Sequence, residues 1–136
     1  MKHKILTADD NGDLRKLINI SLSADFDVLE SANGAETLKA EEEGQPDLIL
    51  LDMTLPDMSG LDVLKKLRAK NSKAVIIMLT ASDDIELGKK SIEMGASEYV
   101  TKPFEISYLR TIIKDRMDVL NEKKPDSSRP WKVKNE

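Results

Sequence analysis

"LILLDMTLPDMSG", residues 48–60, decides how the rest of the chain is read. Four apolar residues run unbroken into Asp52, and Pro56 and Gly60 then bar a regular strand from continuing. A run this short and this apolar predicts a strand covered on both faces, the habit of a parallel sheet flanked by helices. A carboxylate placed where such a run stops sits at the rim of a core. There it either caps something or meets a ligand.

Working outward, short apolar runs alternate with helix-period segments. "KILTA" (4–8), "FDVLESA" (26–32), "DLILLD" (47–52), "AVIIMLT" (74–80) and "EYVTK" (98–102) read as strands. Between and after them, 11–24, 35–44, 61–70, 83–95 and 106–120 read as helices. Their inward stripes are Leu14, Leu17, Ile18 and Leu22; Leu61, Leu64 and Leu67; and Ile106, Leu109, Ile113 and Leu120. Gly44 and Gly95 are expected to end the second and fourth helices. Two acidic residues, Asp83 and Asp84, open the fourth, where the helix dipole favours them. Five βα units with right-handed crossovers give an α/β three-layer sandwich. Residues 122–136 change character: two prolines, five Lys/Arg against three Asp/Glu, and Trp131 and Val133 as the only bulky apolar residues. The expectation is one domain over 1–121 followed by a flexible tail or linker.

Composition narrows the function. With 136 residues, 40% hydrophobic and 34% charged, the chain has the balance of a soluble domain. A net charge of −4 offers no basic field for nucleic acid or an anionic membrane. There is no cysteine and a single histidine, His3, so thiolate chemistry, disulfides and multi-histidine metal sites are excluded. No apolar stretch approaches a membrane span, and the acidic "ADD" at 8–10 comes too early for a signal peptide. The expected location is the cytoplasm.

The polar residues at the strand ends carry the chemistry. Asp9 and Asp10 follow the first strand, Asp52 ends the third, Thr80 the fourth and Lys102 the fifth. Ligands of open parallel sheets bind beyond the carboxyl ends of the strands, where strand order reverses. If the strand order is 2-1-3-4-5, strands one and three are neighbours at that reversal, and Asp9, Asp10 and Asp52 converge there. Three carboxylates together repel, and a hard divalent cation such as Mg²⁺ relieves the repulsion. Given a phosphate source, Asp52 becomes a candidate nucleophile, with Lys102 and the Thr80 hydroxyl placed to meet phosphoryl oxygens.

Over residues 3–121 the sequence resembles the CheY-like receiver domain of two-component response regulators. "ILTADD", "LILLDMTLPDMSG", "IIMLTA" and "EYVTKPF" carry the resemblance, in order and without large insertions. The resemblance implies a flavodoxin-like five-stranded parallel sheet in the order 2-1-3-4-5 with five helices. It implies that Asp52 accepts a phosphoryl group from a histidine kinase or phosphotransfer protein. Asp10, Asp52 and the Thr54 backbone carbonyl would ligate Mg²⁺ (or Mn²⁺), with Asp9 acting through water. Thr80 and Tyr99 would form a switch pair, and a cis peptide bond would join Lys102 to Pro103. Thr54 and Ser82 stand at positions tied to dephosphorylation rate. The only catalysis implied is Mg²⁺-dependent self-phosphorylation and autodephosphorylation of Asp52. The implied output is a downstream protein target, with a phosphorylation-dependent homodimer open.

Plainer readings stand beside these. Asp9 or Asp10 could cap the first helix, Thr80 could bond backbone, and Lys102 could be surface charge. Glu41–Glu43 reads as a solvated helix end, and Asp57 as a residue stabilising its own turn. Two other functions compete: an aspartate-nucleophile phosphatase or phosphotransferase acting on a small molecule, and a binding module that is never phosphorylated. The haloacid-dehalogenase type of phosphatase needs a second Asp where this chain has Thr54.

Overall fold

The computed structural model describes residues 2–81 and 83–122. The elements alternate without exception: β1 (Lys4–Ala8), α1 (Gly12–Leu22), β2 (Asp27–Ser31), α2 (Gly34–Gly44), β3 (Leu48–Asp52), α3 (Gly60–Ala69), β4 (Val75–Ala81), α4 (Ile85–Glu93), β5 (Glu98–Lys102) and α5 (Ile106–Glu122). The strands form one parallel sheet in the order β2-β1-β3-β4-β5, as the sequence led us to expect. The expected tail, Trp131 and Val133 within it, Ser82 and the side chain of Leu120 lie outside the described residues.

The unbroken apolar run of β3 has a direct cause. Leu48 and Leu50 point into the layer shared with α1 and α5, beside Ile18, Leu22, Leu109 and Ile113. Ile49 and Leu51 point into the opposite layer, beside Val63, Leu64 and Leu67 of α3. Side chains alternate across a strand, so a central strand sandwiched between helices has no face left for polar residues. Each fully buried leucine or isoleucine contributes about 1.5–3 kcal/mol relative to exposure.

Three helices are started by side chains that satisfy their free amides. Asn11, Asn33 and Ser59 accept from the N–H groups of Leu14, Glu36 and Asp62 at 3.1, 2.8 and 3.1 Å. The cap of α1 is therefore Asn11, and neither Asp9 nor Asp10 is used up in that role.

Gly44 is the last helical residue of α2, where the sequence places its end, and the left-handed cap after it is Gln45, with φ of 49°. Pro46 follows Gln45 and disfavours the right-handed helical region for it. Three local expectations are corrected. The fourth helix is shorter than 83–95, running Ile85–Glu93 after an Asp84 whose side chain makes no cap hydrogen bond. Leu17 does not join the buried stripe of α1; it is 51% exposed, while Ile18 and Leu22 are buried. Glu41 is not solvated but only 6% exposed, and its Oε1 lies 2.6 Å from Lys70 Nζ at the end of α3. The helices α2 and α3 pack side by side, so the inner edge of the acidic run is covered while Glu42 and Glu43 face outward.

Candidate functional site

The strand register brings the polar strand ends together. Ala8 pairs with Leu51, Asp52 with Leu79, and Ala81 with Lys102, so β1, β3, β4 and β5 end at one level. Asp9 is fully buried and Asp52 nearly so, while Asp10 is exposed. Carboxylate oxygens of Asp9, Asp10 and Asp52 all lie within 4.8 Å of one another. Lys102 reaches across from β5: its Nζ is 2.8 Å from Asp9 Oδ2 and 3.4 Å from Asp52 Oδ2.

The backbone holds these carboxylates from below. Asn11 N–H donates to Asp9 Oδ1 at 2.9 Å, and Thr54 N–H donates to Asp52 Oδ1 at 3.3 Å. Arg15 Nη1 donates to the Asp9 carbonyl at 2.7 Å, tying the turn after β1 to α1. Gly60 presses on Asp52 from the far side. A Cβ at that position would lie 2.3 Å from the Asp52 carbonyl oxygen and 2.8 Å from Met53 Cα. Only glycine allows α3 to begin so close to the strand end.

The electrostatics follow from this crowding. Burial, and then the neighbouring Asp9 charge, push the Asp52 carboxyl above its ordinary range; Lys102 and the Thr54 amide pull the other way but do not win. For Lys102, burial works against the ammonium. The hydrogen bond to Asp9 and the charges of Asp52 and Asp9 outweigh it, and its pKa is raised. One ammonium, paired with Asp9 and Asp52, does not balance a cluster of three carboxylates. The donor set is all hard oxygen, with no nitrogen or sulfur ligand, and fits a hard divalent cation such as Mg²⁺, which binds through few carboxylates and keeps waters.

The remaining candidates sit around this cluster. Thr80 is buried, and its Oγ1 has no hydrogen-bond partner among the described residues. Tyr99 is half-buried beside Met78 in the sheet, and its ring lies against α4 at Gly88. The peptide bond between Lys102 and Pro103 is cis. An open cleft of about 590 Å³ leads to Asp10, Asp52 and Lys102. Its far wall is apolar, made by Leu14, Leu17, Phe104 and Ile106. This explains the exposure of Leu17: it belongs to the rim of the cleft rather than to the core.

Asp57 does more than hold its own turn. Its carboxylate accepts from Gly34 N–H at 2.7 Å and Ala35 N–H at 2.9 Å, across the gap to α2. Those two hydrogen bonds hold its pKa below the usual carboxylate range. Nothing in the spacing of Pro56 and Asp57 signals a partner more than 20 residues away.

Comparison with known proteins points one way. The family model described as the response regulator receiver domain matches residues 5–114. Sporulation initiation phosphotransferase F of Bacillus subtilis (strain 168) is 33% identical over 115 residues, covering 84% of this chain and 93% of that protein. The alkaline phosphatase synthesis transcriptional regulatory protein PhoP of the same organism is 40% identical over 105 residues, 76% of this chain but 44% of its own length. The chain thus spans about half the length of most of the curated relatives it matches. Among solved structures, a CheY-like response regulator receiver domain protein from Methanospirillum hungatei JF-1 superposes with a TM-score of 0.85 at 27% identity, over 90% of this chain and 99% of that one.

Proposed function

The chain belongs to the response regulator receiver domain family, and on that premise we propose that it serves phosphorylation-dependent two-component signalling with Asp52 as the phosphoacceptor. One observation carries the assignment to Asp52. It is the carboxylate within ion-pair reach of Lys102 that also ends a strand at the mouth of the cleft, whereas Asp9 is sealed beneath it.

In this reading an Asp52 carboxylate oxygen attacks the phosphorus of a phosphohistidine. The new bond joins phosphorus to Asp52 oxygen, the phosphorus–nitrogen bond breaks, and the imidazole leaves with its electron pair. Lys102 neutralises charge on the phosphoryl oxygens from the β5 side, and Asp9 keeps the ammonium in place. Asp10, Asp52 and the Thr54 carbonyl would hold Mg²⁺, with Asp9 behind through water; the bound ion supplies the positive charge that the cluster lacks. Mn²⁺ fits the same oxygen set. Self-phosphorylation from a small acyl phosphate and autodephosphorylation use the same residues.

The Thr80 hydroxyl, buried and without a hydrogen-bond partner among the described residues, is suited to bond the new phosphoryl group. Its movement would open space for Tyr99, which now leans on α4, and so reshape the surface of α4, β5 and α5. Ile85 and Tyr108 stand exposed on that surface as apolar anchors for a downstream protein or a second copy of the chain. No described helix is long and apolar enough to cross a membrane, and a cytoplasmic location suits a partner of histidine kinases. The reading also takes residues 1–121 as the receiver and the rest as a tail or linker.

The test is phosphotransfer from each purified histidine kinase of the source organism, ranked by initial rate. One or a few should label the chain far faster than the rest, and none should label Asp52→Asn. Equal labelling of that variant by the preferred kinase would refute the assignment.

A further inference from the structure

The loop between β3 and α3 is closed at its base. Gly60 N–H donates to the Met53 carbonyl at 2.7 Å, and Thr54 and Ser59 form an antiparallel bridge. The tip of the loop is held by a separate set of contacts. Both oxygens of Asp57 are spent on Gly34 and Ala35, the first free amides of α2. Beside it, Met58 is seated so closely over Gly34 that a Cβ there would lie 2.4 Å from Met58 Cγ. The start of α2 is itself anchored to the sheet, because Thr37 Oγ1 and Ser31 Oγ at the end of β2 are 2.7 Å apart.

α2 does not need Asp57 as its only cap. Asn33 already accepts from Glu36 N–H at 2.8 Å, from within the helix's own start. The Asp57 contacts differ in that they join two elements. They connect the edge of the sheet, through α2, to the loop that carries Thr54, and Thr54 N–H is bonded to Asp52.

We propose that Asp57 is a positioning residue for the Asp52 site: by clamping the loop tip onto the start of α2, it fixes the Thr54 backbone over Asp52. Asp57 touches no reacting atom. It acts on Thr54, whose amide orients the Asp52 carboxylate and whose carbonyl, in the reading above, is a Mg²⁺ ligand. The proposal rests on that reading for its effect on Mg²⁺, but not for the clamp itself.

The experiment compares Asp57→Ala, Asp57→Asn and Asn33→Ala in the full chain. Asn33→Ala removes a cap from α2 without touching the loop. Two quantities are read: amide hydrogen exchange in metal-free protein, and Mg²⁺ affinity by calorimetry. Asp57→Ala should speed exchange at Thr54, Met58 and Ser59. It should also weaken Mg²⁺ binding about tenfold, the low end of what a metal site loses with an outer supporting group. Asp57→Asn keeps one acceptor oxygen and should fall between Asp57→Ala and the unaltered chain. Asn33→Ala should lower Tm yet leave loop exchange and Mg²⁺ affinity unchanged. If Asp57→Ala changes the loop and Mg²⁺ affinity no more than Asn33→Ala does, Asp57 is only a second cap and the proposal falls. If the unaltered chain binds no Mg²⁺, the phosphorylation reading fails instead, and the exchange pattern alone decides the clamp.

Discussion

Adding one methyl group at Gly60 sets two effects against each other at the edge of the site. Gly60 is the first residue of α3, and replacing a helical glycine by alanine stabilises by up to about 1 kcal/mol. Against this stands the overlap of a Cβ with the Asp52 carbonyl oxygen at 2.3 Å and Met53 Cα at 2.8 Å. Both are backbone atoms, so no rotamer change relieves the contact. Overpacking typically costs 1–3 kcal/mol, and a clash against immobile backbone belongs at the upper end. The net expectation for Gly60→Ala is a loss of about 2 kcal/mol. At roughly 3–5 °C per kcal/mol for a domain of this size, Tm should fall by about 6–10 °C. Gly12 is the control. It also opens a helix, but a Cβ there would meet only Arg15 Nη2, at 3.7 Å. Gly12→Ala should therefore leave Tm unchanged or raise it slightly. Thermal unfolding by circular dichroism measures both. If Gly60→Ala and Gly12→Ala shift Tm equally, the close approach of α3 to Asp52 does not constrain the fold and the reasoning is wrong.

Asp52→Asn gives a stability effect with a definite pH dependence. Burial and Asp9 raise the folded-state pKa of Asp52, so the fold binds its proton more tightly than the unfolded chain does. The stability this confers is fully present below the ordinary value of 3.8 and is lost as pH rises through the raised value. In metal-free buffer Asp52→Asn should therefore melt above the unaltered chain at neutral pH, with the gap closing below that value; a lower Tm for the variant at neutral pH would contradict it. Leu64 is fully buried in the α3 layer, so Leu64→Ala should cost about 2–5 kcal/mol in urea unfolding, and a loss under 1 kcal/mol would show that the layer collapses freely. Lys70→Ala leaves Glu41 buried without its cation; because Lys70 is itself 42% exposed, the expected loss is about 1 kcal/mol, and no measurable loss would make the pair ornamental to α2–α3 packing.

Period and run length carried most of the fold into the sequence. The strands could be placed because β3 is apolar from Leu48 to Leu51 and β4 from Val75 to Leu79, a run that a doubly covered strand demands. The cluster of Asp9, Asp10, Asp52 and Lys102 was legible for a related reason: each ends a strand or directly follows one, and parallel strands end at one level. Partner identity across helices was not legible. Glu41 sits in an acidic run whose other members face water, and only the neighbouring α3 brings Lys70 over it. Leu17 fits a helical stripe by spacing, but the stripe of α1 is wider than the face the sheet can cover. Asp57 looked like an ordinary turn residue because its partners, Gly34 and Ala35, offer only backbone amides, which leave no trace in side-chain identity.

The most direct test of the central claim is labelling of the intact chain with acetyl phosphate, followed by mass spectrometry of the protein and its peptides. With Mg²⁺ present, the chain should gain one hydroxylamine-labile phosphoryl group on the peptide containing Asp52. The gain should vanish with EDTA and in Asp52→Asn, and should slow sharply in Lys102→Ala. Undiminished labelling of Asp52→Asn, or labelling indifferent to Mg²⁺, would contradict the account.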